Sequence, residues 1–284
     1  MKVLFCTDGT SIANNAILNY LKWFNNVEVD IISVSDMTNF DDNIFIHSDK
    51  LIELCANNAD VTLKSANKFL NDNGITVKQV IKRCGGAVDN ILDVGEKNNY
   101  DCIILGSNGK KGIQKWLGSV SQDVASKSNT SIYISKKNQQ TKKILFALSQ
   151  DMYMKNNIDK LISNMNLTQS DITLMTVYQM PDFLFLSGNV DQNWITDIEL
   201  KQQKESKSLI NSIEKIFISK GITVKEKIII KGNSSEEILN YSEANDISLI
   251  VVGTSKERKY SGNNSVSKRI LEFANCDVYI DKYI

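Results

Sequence analysis

The chain alternates short, continuous apolar runs with longer stretches in which apolar residues recur at helical spacing. Runs such as 3–6 and 102–105 contain no polar position, which is typical of parallel strands that are covered on both faces. The alternation therefore predicts βα units on a parallel sheet. In the first half, strands are predicted near residues 2–7, 28–34, 75–82, 101–106 and 131–135, and helices near 11–24, 49–73, 86–99 and 118–128.

The second half of the chain repeats the first. The segment GITVK at residues 74–78 recurs unchanged at 221–225, which is 147 residues later. A nearly constant offset across many elements indicates a tandem duplication, with domains at 1–138 and 143–284. In the second half, strands are predicted near 143–148, 171–177, 222–230, 248–253 and 277–281.

Polar residues and glycines mark the predicted helix ends. Ser11 is the predicted N-cap of the first helix, and Asp49 is placed in the first turn of the second, where a carboxylate stabilises the positive end of the helix dipole. Gly74 and Gly221 follow the two long helices, at the position where a left-handed residue often ends a helix.

The composition argues against several classes of protein. The 33 basic residues balance the 33 acidic ones, whereas nucleic-acid binding depends on excess Lys and Arg. No apolar run approaches the ~18 residues of a membrane span, and the chain opens directly into a predicted strand, so we expect neither a span nor a secretory signal. His47 is the one histidine, which argues against a histidine-based zinc site and a Ser-His triad.

The cysteines indicate a reducing compartment. They are odd in number, scattered and mostly set among apolar neighbours, at positions 6, 55, 84, 102 and 276. Such thiols are usually buried and reduced, so we expect free thiols and a cytoplasmic location. Cys6 lies close to Asp8 in the sequence, but no neighbouring base is evident, and we expect a core thiol.

A glycine-rich segment follows the fourth predicted strand. Gly106 and Gly109 end that strand, and Gly118 precedes the next predicted helix. Glycines at the carboxyl end of a buried strand let backbone approach a ligand, and free amides at a helix N-terminus favour phosphate. Asp8 ends the first strand at the same expected crevice, where a carboxylate suits sugar hydroxyls or a metal-bound water. The alternative is that the glycines merely form a tight turn and pack a helix closely.

Asp8, Val34 and the pattern Gly106-x2-Gly109-x8-Gly118-Ser119-Val120 resemble the ATP-binding branch of the universal stress protein family. The resemblance covers essentially the whole chain, as two tandem copies. It implies an α/β fold with two tandem open-sheet sandwiches of the adenine nucleotide alpha hydrolase type, each with five parallel strands in the order 3-2-1-4-5. It also implies ATP as the ligand of the first domain, with or without Mg²⁺ or Mn²⁺.

The same resemblance assigns the ligand contacts. It implies that Asp8 faces the adenosine part, that main chain at Val34 and Leu105 contacts the base, and that Gly106 lies by the ribose. The phosphates would be held by Gly109, Gly118, Ser119 and Val120. The spacer between Gly109 and Gly118 is one residue shorter than is usual in the family, so we expect the loop 110–117 to contact the ligand differently.

The second half lacks most of these residues. Following the repeat, Asp8 corresponds to Ser149, Gly109 to Lys256 and Gly118 to Asn264, whereas Gly253, Ser265 and Val266 are retained. A lysine side chain then stands where backbone should approach phosphate, so we expect a degenerate site without bound nucleotide. The alternative is that Lys256, Arg258 and Lys259 bind phosphate as point charges.

The sequence leaves three functions open. The favoured one is a cytoplasmic stress-response protein that binds ATP and acts as a regulatory protein, because no general base accompanies the phosphate site. The second is a slow ATPase or adenine-nucleotide hydrolase, in which Asp8 holds a metal and Ser119 or Ser121 orders water. The third is a nucleotide-free scaffold that acts through the apolar segment 180–187.

The last strand of each half is a predicted sheet edge, at 131–134 and 277–280. Unpaired edges need protection, and members of the family join their final strands across a two-fold axis. The resemblance therefore implies an internal pseudo-dimer of the two domains, and it leaves a homodimer of two chains open.

Overall fold

The computed structural model describes residues 1–38, 49–107, 118–136, 141–149, 152–180, 192–255 and 266–283. The chain divides into two compact units, Met1–Asn138 and Gln139–Ile284, which we call the first and second domains. None of the helices in the described ranges is both long enough and apolar enough to cross a membrane.

The first domain is a parallel α/β unit. Its strands are β1 (Lys2–Cys6), β2 (Glu28–Asp36), β3 (Val77–Gly85), β4 (Cys102–Gly106) and β5 (Ser131–Ser135), and its described helices are α1 (Ser11–Trp23), α2 (Asp49–Asp72), α3 (Ala87–Lys97) and α4 (Ser119–Lys127). The strands pair in parallel in the order β3-β2-β1-β4-β5. This confirms the predicted order 3-2-1-4-5.

The second domain repeats this architecture. Its strands are β6 (Lys143–Leu148), β7 (Asp171–Tyr178), β8 (Glu226–Lys231), β9 (Leu249–Ser255) and β10 (Asp277–Tyr283), and its described helices are α5 (Met152–Asn164), α6 (Gln192–Ser219), α7 (Ser234–Ala244) and α8 (Val266–Phe273). The parallel order β8-β7-β6-β9-β10 is the same as in the first domain. The duplicated sequence therefore produces a duplicated fold.

The central strands form the core of each domain. Val3, Leu4 and Phe5 of β1 all have 0% exposure, and since successive strand residues point to opposite faces, both faces of β1 are covered. In the second domain, Phe146 of β6 packs edge-to-face on Phe217 of α6, with ring centroids 5.1 Å apart. These contacts explain why the apolar runs in the sequence are continuous.

The two long helices end at left-handed glycines, as predicted. Gly74 has a φ of 75° and Gly221 a φ of 71°. The next amide in each case donates back to a carbonyl of the last helical turn, Ile75 to Leu70 at 2.9 Å and Ile222 to Phe217 at 3.0 Å. Because these bonds hold residues after the glycines in the helix terminus, β3 and β8 begin later than the predicted residues 75 and 222.

Two of the five cysteines are paired. Cys55 of α2 and Cys84 of β3 form a disulfide, with Cα atoms 6.1 Å apart. The expectation of five reduced thiols is therefore wrong for this pair, because packing of α2 on β3 brings together residues that are distant in sequence. Cys6, Cys102 and Cys276 are buried free thiols, as expected.

Candidate functional site

The carboxyl ends of β1, β2 and β4 meet at one edge of the first domain's sheet. β1 pairs in parallel with β2 on one side and with β4 on the other. The strand order reverses at β1, because β2 and β3 lie on one side of it and β4 and β5 on the other. Such a reversal creates the crevice where ligands bind in open α/β sheets. Asp8, Val34 and Gly106 come to this edge from three different strands.

Asp8 is half-buried and holds the turn between β1 and α1. Its Oδ1 accepts hydrogen bonds from the Thr10 amide at 3.0 Å and from the Thr10 hydroxyl at 2.7 Å. The Thr10 hydroxyl oxygen accepts from the amide of Ala13 at 3.3 Å, so Thr10 is the N-cap of α1 and the predicted cap at Ser11 is wrong by one residue. In the described part of the chain, Asp8 Oδ2 has no hydrogen-bond partner, and it is the oxygen that a ligand can use.

The turn after Asp8 also brings α2 to the site. Gly9 has a φ of 83°, a conformation that side chains other than glycine rarely adopt. A Cβ atom on Gly9 would lie 3.3 Å from Cγ2 of Thr62 in α2. Therefore α2 borders the same edge as Asp8, a neighbour that spacing in the sequence does not indicate.

The main chain of Val34 is directed toward the crevice. The amide of Thr7, just after β1, donates to the carbonyl of Ile32 at 3.0 Å, so Ile32 turns its polar groups toward β1. Successive residues of a parallel strand direct their main-chain N–H and C=O groups toward alternate neighbouring strands. Val34 is two residues after Ile32, so its N–H and C=O groups also face the β1 side. They lie beyond Cys6 and Ile32, the last paired residues of β1 and β2. This is the place where a base can bond to main chain. Leu105 lies at the end of β4 and is buried.

Gly106 is required by packing. A Cβ atom at this position would lie 3.2 Å from Cα and 3.3 Å from the amide nitrogen of Ala13 in α1. Those are backbone atoms that cannot move without shifting the helix. The proposal that this glycine packs a helix closely therefore has direct support, and Gly106 by itself does not indicate a ligand.

The N-terminus of α4 returns to the same edge. The amide of Gly118 donates to the carbonyl of Ser107 at 2.6 Å, and the hydroxyl of Ser121 donates to the carbonyl of Gly106 at 2.8 Å. These two bonds attach the start of α4 to the end of β4. Ser119, the first residue of the helix, is exposed.

Among the described residues, no side chain caps the N-terminus of α4. Its N-cap, Gly118, makes no side-chain hydrogen bond, and no acidic residue lies in its first turn. In contrast, α7 of the second domain is capped by Asn233, whose Oδ1 accepts from two amides, and Glu236 lies in its first turn. Free amides and an uncompensated dipole suit an anion such as a phosphate group.

Several predicted positions lie outside the described residues. They are Gly109, the loop 110–117, His47, the segment 181–187, and, in the second domain, Lys256, Arg258, Lys259, Asn264 and Ser265. Within the ranges that the structure does describe, no group of three or more His, Cys, Asp or Glu side chains is arranged to hold a metal ion. Burial raises the pKa of the Cys6 thiol well above its usual range, so this thiol stays protonated, as expected of a core cysteine.

The equivalent edge of the second domain is built differently. Ser149 stands where the first domain has Asp8, so a carboxylate is replaced by a hydroxyl. Strand β9 continues past Gly253 to Ser255, whose Cα pairs with Tyr283 of β10, whereas β4 stops at Gly106. The strand of the second domain is therefore longer than β4 at this edge.

A polar cluster occupies the carboxyl ends of β7 and β8. The hydroxyl of Tyr178 donates to Glu199 Oε1 at 3.2 Å and accepts from Gln203 Nε2 at 2.9 Å. Lys231 lies 3.0 Å from Glu199 Oε2 and, through hydrogen bonding and charge, lowers the pKa of that carboxyl. In the register of β7 and β8, Tyr178 pairs with Lys231, as Ser35 pairs with Cys84 in the first domain.

Each domain is thus a Rossmann-like α/β sandwich of the adenine nucleotide alpha hydrolase type. The model of the universal stress protein family matches the chain twice, at residues 1–136 and 140–282. Since the two matches span nearly the whole sequence, the chain belongs to the universal stress protein family, as a tandem two-domain member.

Solved structures show the same fold along the full chain. A universal stress protein from Archaeoglobus fulgidus DSM 4304 matches with a TM-score of 0.70 at 19% sequence identity, covering 100% of this chain and 98% of that one. A functionally unknown protein from Pseudomonas aeruginosa PAO1 matches with a TM-score of 0.64 at 12% identity, covering 98% and 91%. At these identities the likeness concerns the fold alone. A comparison with curated proteins gives no match.

Proposed function

We propose that this protein is a cytoplasmic stress-response protein whose first domain binds ATP or a related adenine nucleotide. The observation that carries the proposal is the N-terminus of α4, where the described residues leave the amides of Ser119 and Val120 without partners, provide no cap side chain and place no acidic residue in the first turn. It is attached to the sheet edge at which Asp8 and Val34 lie. Membership of the universal stress protein family supports the role in stress.

The parts of ATP are distributed along this edge. The amides of Ser119 and Val120 bind phosphate oxygens, together with the backbone of Gly109, and Gly118, whose own amide bonds to Ser107, lets the phosphates approach because it has no side chain. Asp8 Oδ2 accepts from a ribose hydroxyl or binds a companion Mg²⁺ or Mn²⁺, and the base bonds to main chain at Val34 and Leu105, with Gly106 by the ribose. An adenine nucleotide supplies an anion, a diol and a base at the matching places.

The site is better suited to binding than to hydrolysis. The hydroxyl of Ser121, one of the two groups that a hydrolase would use to order water, is committed to the carbonyl of Gly106. Asp8 Oδ1 is committed to Thr10. A site that stabilises the charge of the phosphates but positions neither a general base nor a water molecule hydrolyses ATP slowly. We therefore propose a nucleotide-dependent regulatory protein with at most weak ATPase activity.

A proline at residue 119 tests the proposal. Proline is well accepted at the first position of a helix, and Gly118 has the extended backbone (ψ 145°) that a residue before proline needs. Ser119→Pro therefore keeps α4 and removes one amide donor. We expect it to weaken ATP binding about tenfold or more, because hydrogen bonds to charged groups contribute roughly 1.5–3 kcal/mol.

Ser119→Ala is the matched control, since it removes the hydroxyl and keeps the amide. Isothermal titration calorimetry with ATP should give the Ala variant an affinity within about twofold of the wild type, while thermal unfolding verifies that the Pro variant is folded. Equal affinity in all three proteins would show that the α4 amides do not bind the nucleotide, and an absence of binding to the wild type would overturn the proposal.

A further inference from the structure

The disulfide of the first domain lies next to the candidate nucleotide site. Cys84 is at the carboxyl end of β3, directly in register with Ser35 of β2, which follows Val34. Cys55 is in the second turn of α2. The bond therefore joins the long helix to the sheet at the edge where the base is proposed to bind.

Hydrogen bonds place Ser35 within the same connection. The Ser35 hydroxyl donates to the carbonyl of Cys55 at 3.0 Å and accepts from Asn58 Nδ2 at 3.3 Å. A further link between α2 and β3 is the ion pair of Asp60 and Lys82, at 3.0 Å. Both of its side chains are more than 40% exposed, and such surface pairs stabilise little, so the disulfide is the strong connection.

The same helix forms part of the site. Thr62 lies two turns after Cys55 and is the residue that a Cβ on Gly9 would contact. Gly9 follows Asp8, whose Oδ2 has no hydrogen-bond partner among the described residues and is the oxygen proposed to contact the ligand. The position of α2 at its disulfide end therefore influences the width of the crevice beside Asp8.

The second domain makes the corresponding connection without cysteines. Lys231 stands 147 residues after Cys84 and occupies the same place in the sheet register. It forms an ion pair with Glu199 of α6, the long helix equivalent to α2. Both domains thus link the long helix to the third strand. In the described structure, this link depends on oxidation in the first domain and on an ion pair in the second.

The two cysteines differ in access. Cys55 is 3% exposed, whereas Cys84 is half-buried and reachable from solvent. The three remaining cysteines are all buried free thiols. This arrangement is typical of a redox pair in which an accessible thiol, here Cys84, reacts first and a buried thiol, here Cys55, resolves the intermediate. In reducing compartments, disulfides are usually transient or redox-sensing.

We propose that Cys55 and Cys84 are a reversible redox pair that clamps α2 to β3 and thereby raises the affinity of the first domain for its nucleotide. The effect on nucleotide affinity rests on the proposed function, whereas the redox clamp of α2 to β3 does not depend on a nucleotide. The oxidant is a low-molecular-weight disulfide such as oxidised glutathione.

The exchange proceeds in two balanced steps. The Cys84 thiolate attacks one sulfur of oxidised glutathione, forming a mixed disulfide and releasing one glutathione thiolate. The Cys55 thiolate then attacks the Cys84 sulfur, forming the internal disulfide and releasing the second glutathione. The two protein thiol protons pass to solvent and end on the two glutathione thiols, and two electrons pass from protein to glutathione.

The test compares oxidised and reduced full-length protein. Equilibration in glutathione buffers, followed by alkylation of free thiols and peptide mass spectrometry, should show Cys55 and Cys84 converting together. Hydrogen exchange should be slower in α2 of the oxidised form, and calorimetry should give it about three- to tenfold tighter ATP binding, because the clamp raises the fraction of competent conformations.

Two variants serve as controls. Cys84→Ser should show the hydrogen exchange of α2 and the ATP affinity of the reduced wild type, and neither should change when oxidant is added. Glu199→Gln breaks the corresponding link in the second domain and should leave both the redox response of α2 and ATP binding unchanged.

The outcomes separate the two proposals. Equal ATP affinity in both redox states would overturn the control of binding while leaving the proposed function intact. If neither form binds ATP, the proposed function is wrong, and hydrogen exchange alone tests the clamp. Equal hydrogen exchange of α2 in the oxidised and reduced forms would overturn the clamp. Cysteines that resist reduction in native protein would also overturn it, since the bond would then be permanent.

Discussion

The two carboxylate oxygens of Asp8 differ in their bonding. Oδ1 accepts from the amide and hydroxyl of Thr10 and so organises the start of α1. Oδ2 has no partner within the described residues. A substitution that removes the whole side chain therefore disturbs the helix cap together with the site, and only a conservative change can separate the two effects.

Asp8→Asn makes that separation. The amide oxygen of Asn can still accept from Thr10, so the free energy of unfolding should change by less than about 0.5 kcal/mol. Loss of the negative acceptor should weaken ATP binding about three- to tenfold, because charge-assisted hydrogen bonds are roughly twice as strong as neutral ones. Thermal unfolding and calorimetry measure the two quantities.

Ser149→Ala in the second domain is the control for Asp8→Asn, as Ser149 is its counterpart in the repeat. It should leave ATP affinity unchanged. An Asp8→Asn protein that binds ATP as tightly as the wild type would exclude the carboxylate from the ligand contacts.

At the scale of the element, the contact of β4 with α1 depends on Gly106. The missing side chain lets the backbone of Ala13 come within 3.2–3.3 Å of the position that a Cβ would occupy. Backbone atoms of a capped helix cannot yield locally. A glycine that looked like part of a ligand site in the sequence is therefore also a requirement of helix packing.

Gly106→Ala should therefore lower the free energy of unfolding of the first domain by about 1–3 kcal/mol, the usual effect of overpacking. Chemical denaturation followed by circular dichroism measures it.

Gly95→Ala, in α3 of the same domain, provides the contrast. Its Cβ would meet Cδ1 of Ile103 at 2.7 Å, but that is the end of a flexible side chain, and alanine also favours the helix. We expect a smaller loss, within about 1 kcal/mol of the wild type. Equal losses in the two variants would contradict the packing argument.

At the scale of the whole molecule, one fold appears twice and its carboxyl edges have diverged. The first domain presents Asp8 and an uncapped α4. The second presents Ser149, a β9 strand extended past Gly253, and the cluster of Tyr178, Glu199 and Lys231. The association of the two domains as an internal pseudo-dimer stays a prediction.

This divergence predicts one ATP per chain. A titration should give a stoichiometry near one, because the second domain lacks the carboxylate at residue 149. Ser119→Pro should then weaken that single site about tenfold or more and leave no site of wild-type affinity. A stoichiometry of two, with one site surviving Ser119→Pro, would show that the second domain binds nucleotide, as the alternative based on Lys256, Arg258 and Lys259 requires.

Local signals predicted most of the fold. The apolar runs gave β1 and β4, the repeated glycines gave the ends of the long helices, and the resemblance gave the strand order that the structure confirms. The errors in the helices and strands lie at their boundaries. The cap is Thr10 because Asp8 bonds to it, and β3 starts late because the bond of Ile75 to Leu70 completes the helix end. Both depend on hydrogen bonds that a pattern of residue types does not specify.

The sequence by itself determined the duplication, the parallel α/β class and the glycine and acidic positions that resemble a nucleotide site, because these follow from local periodicity and from residue identity. Only the tertiary structure decided that α2 borders Asp8, that Gly106 is held against α1, and that Cys55 meets Cys84. Those facts depend on which surfaces of distant segments touch, and contacts of that kind arise from packing of the whole domain.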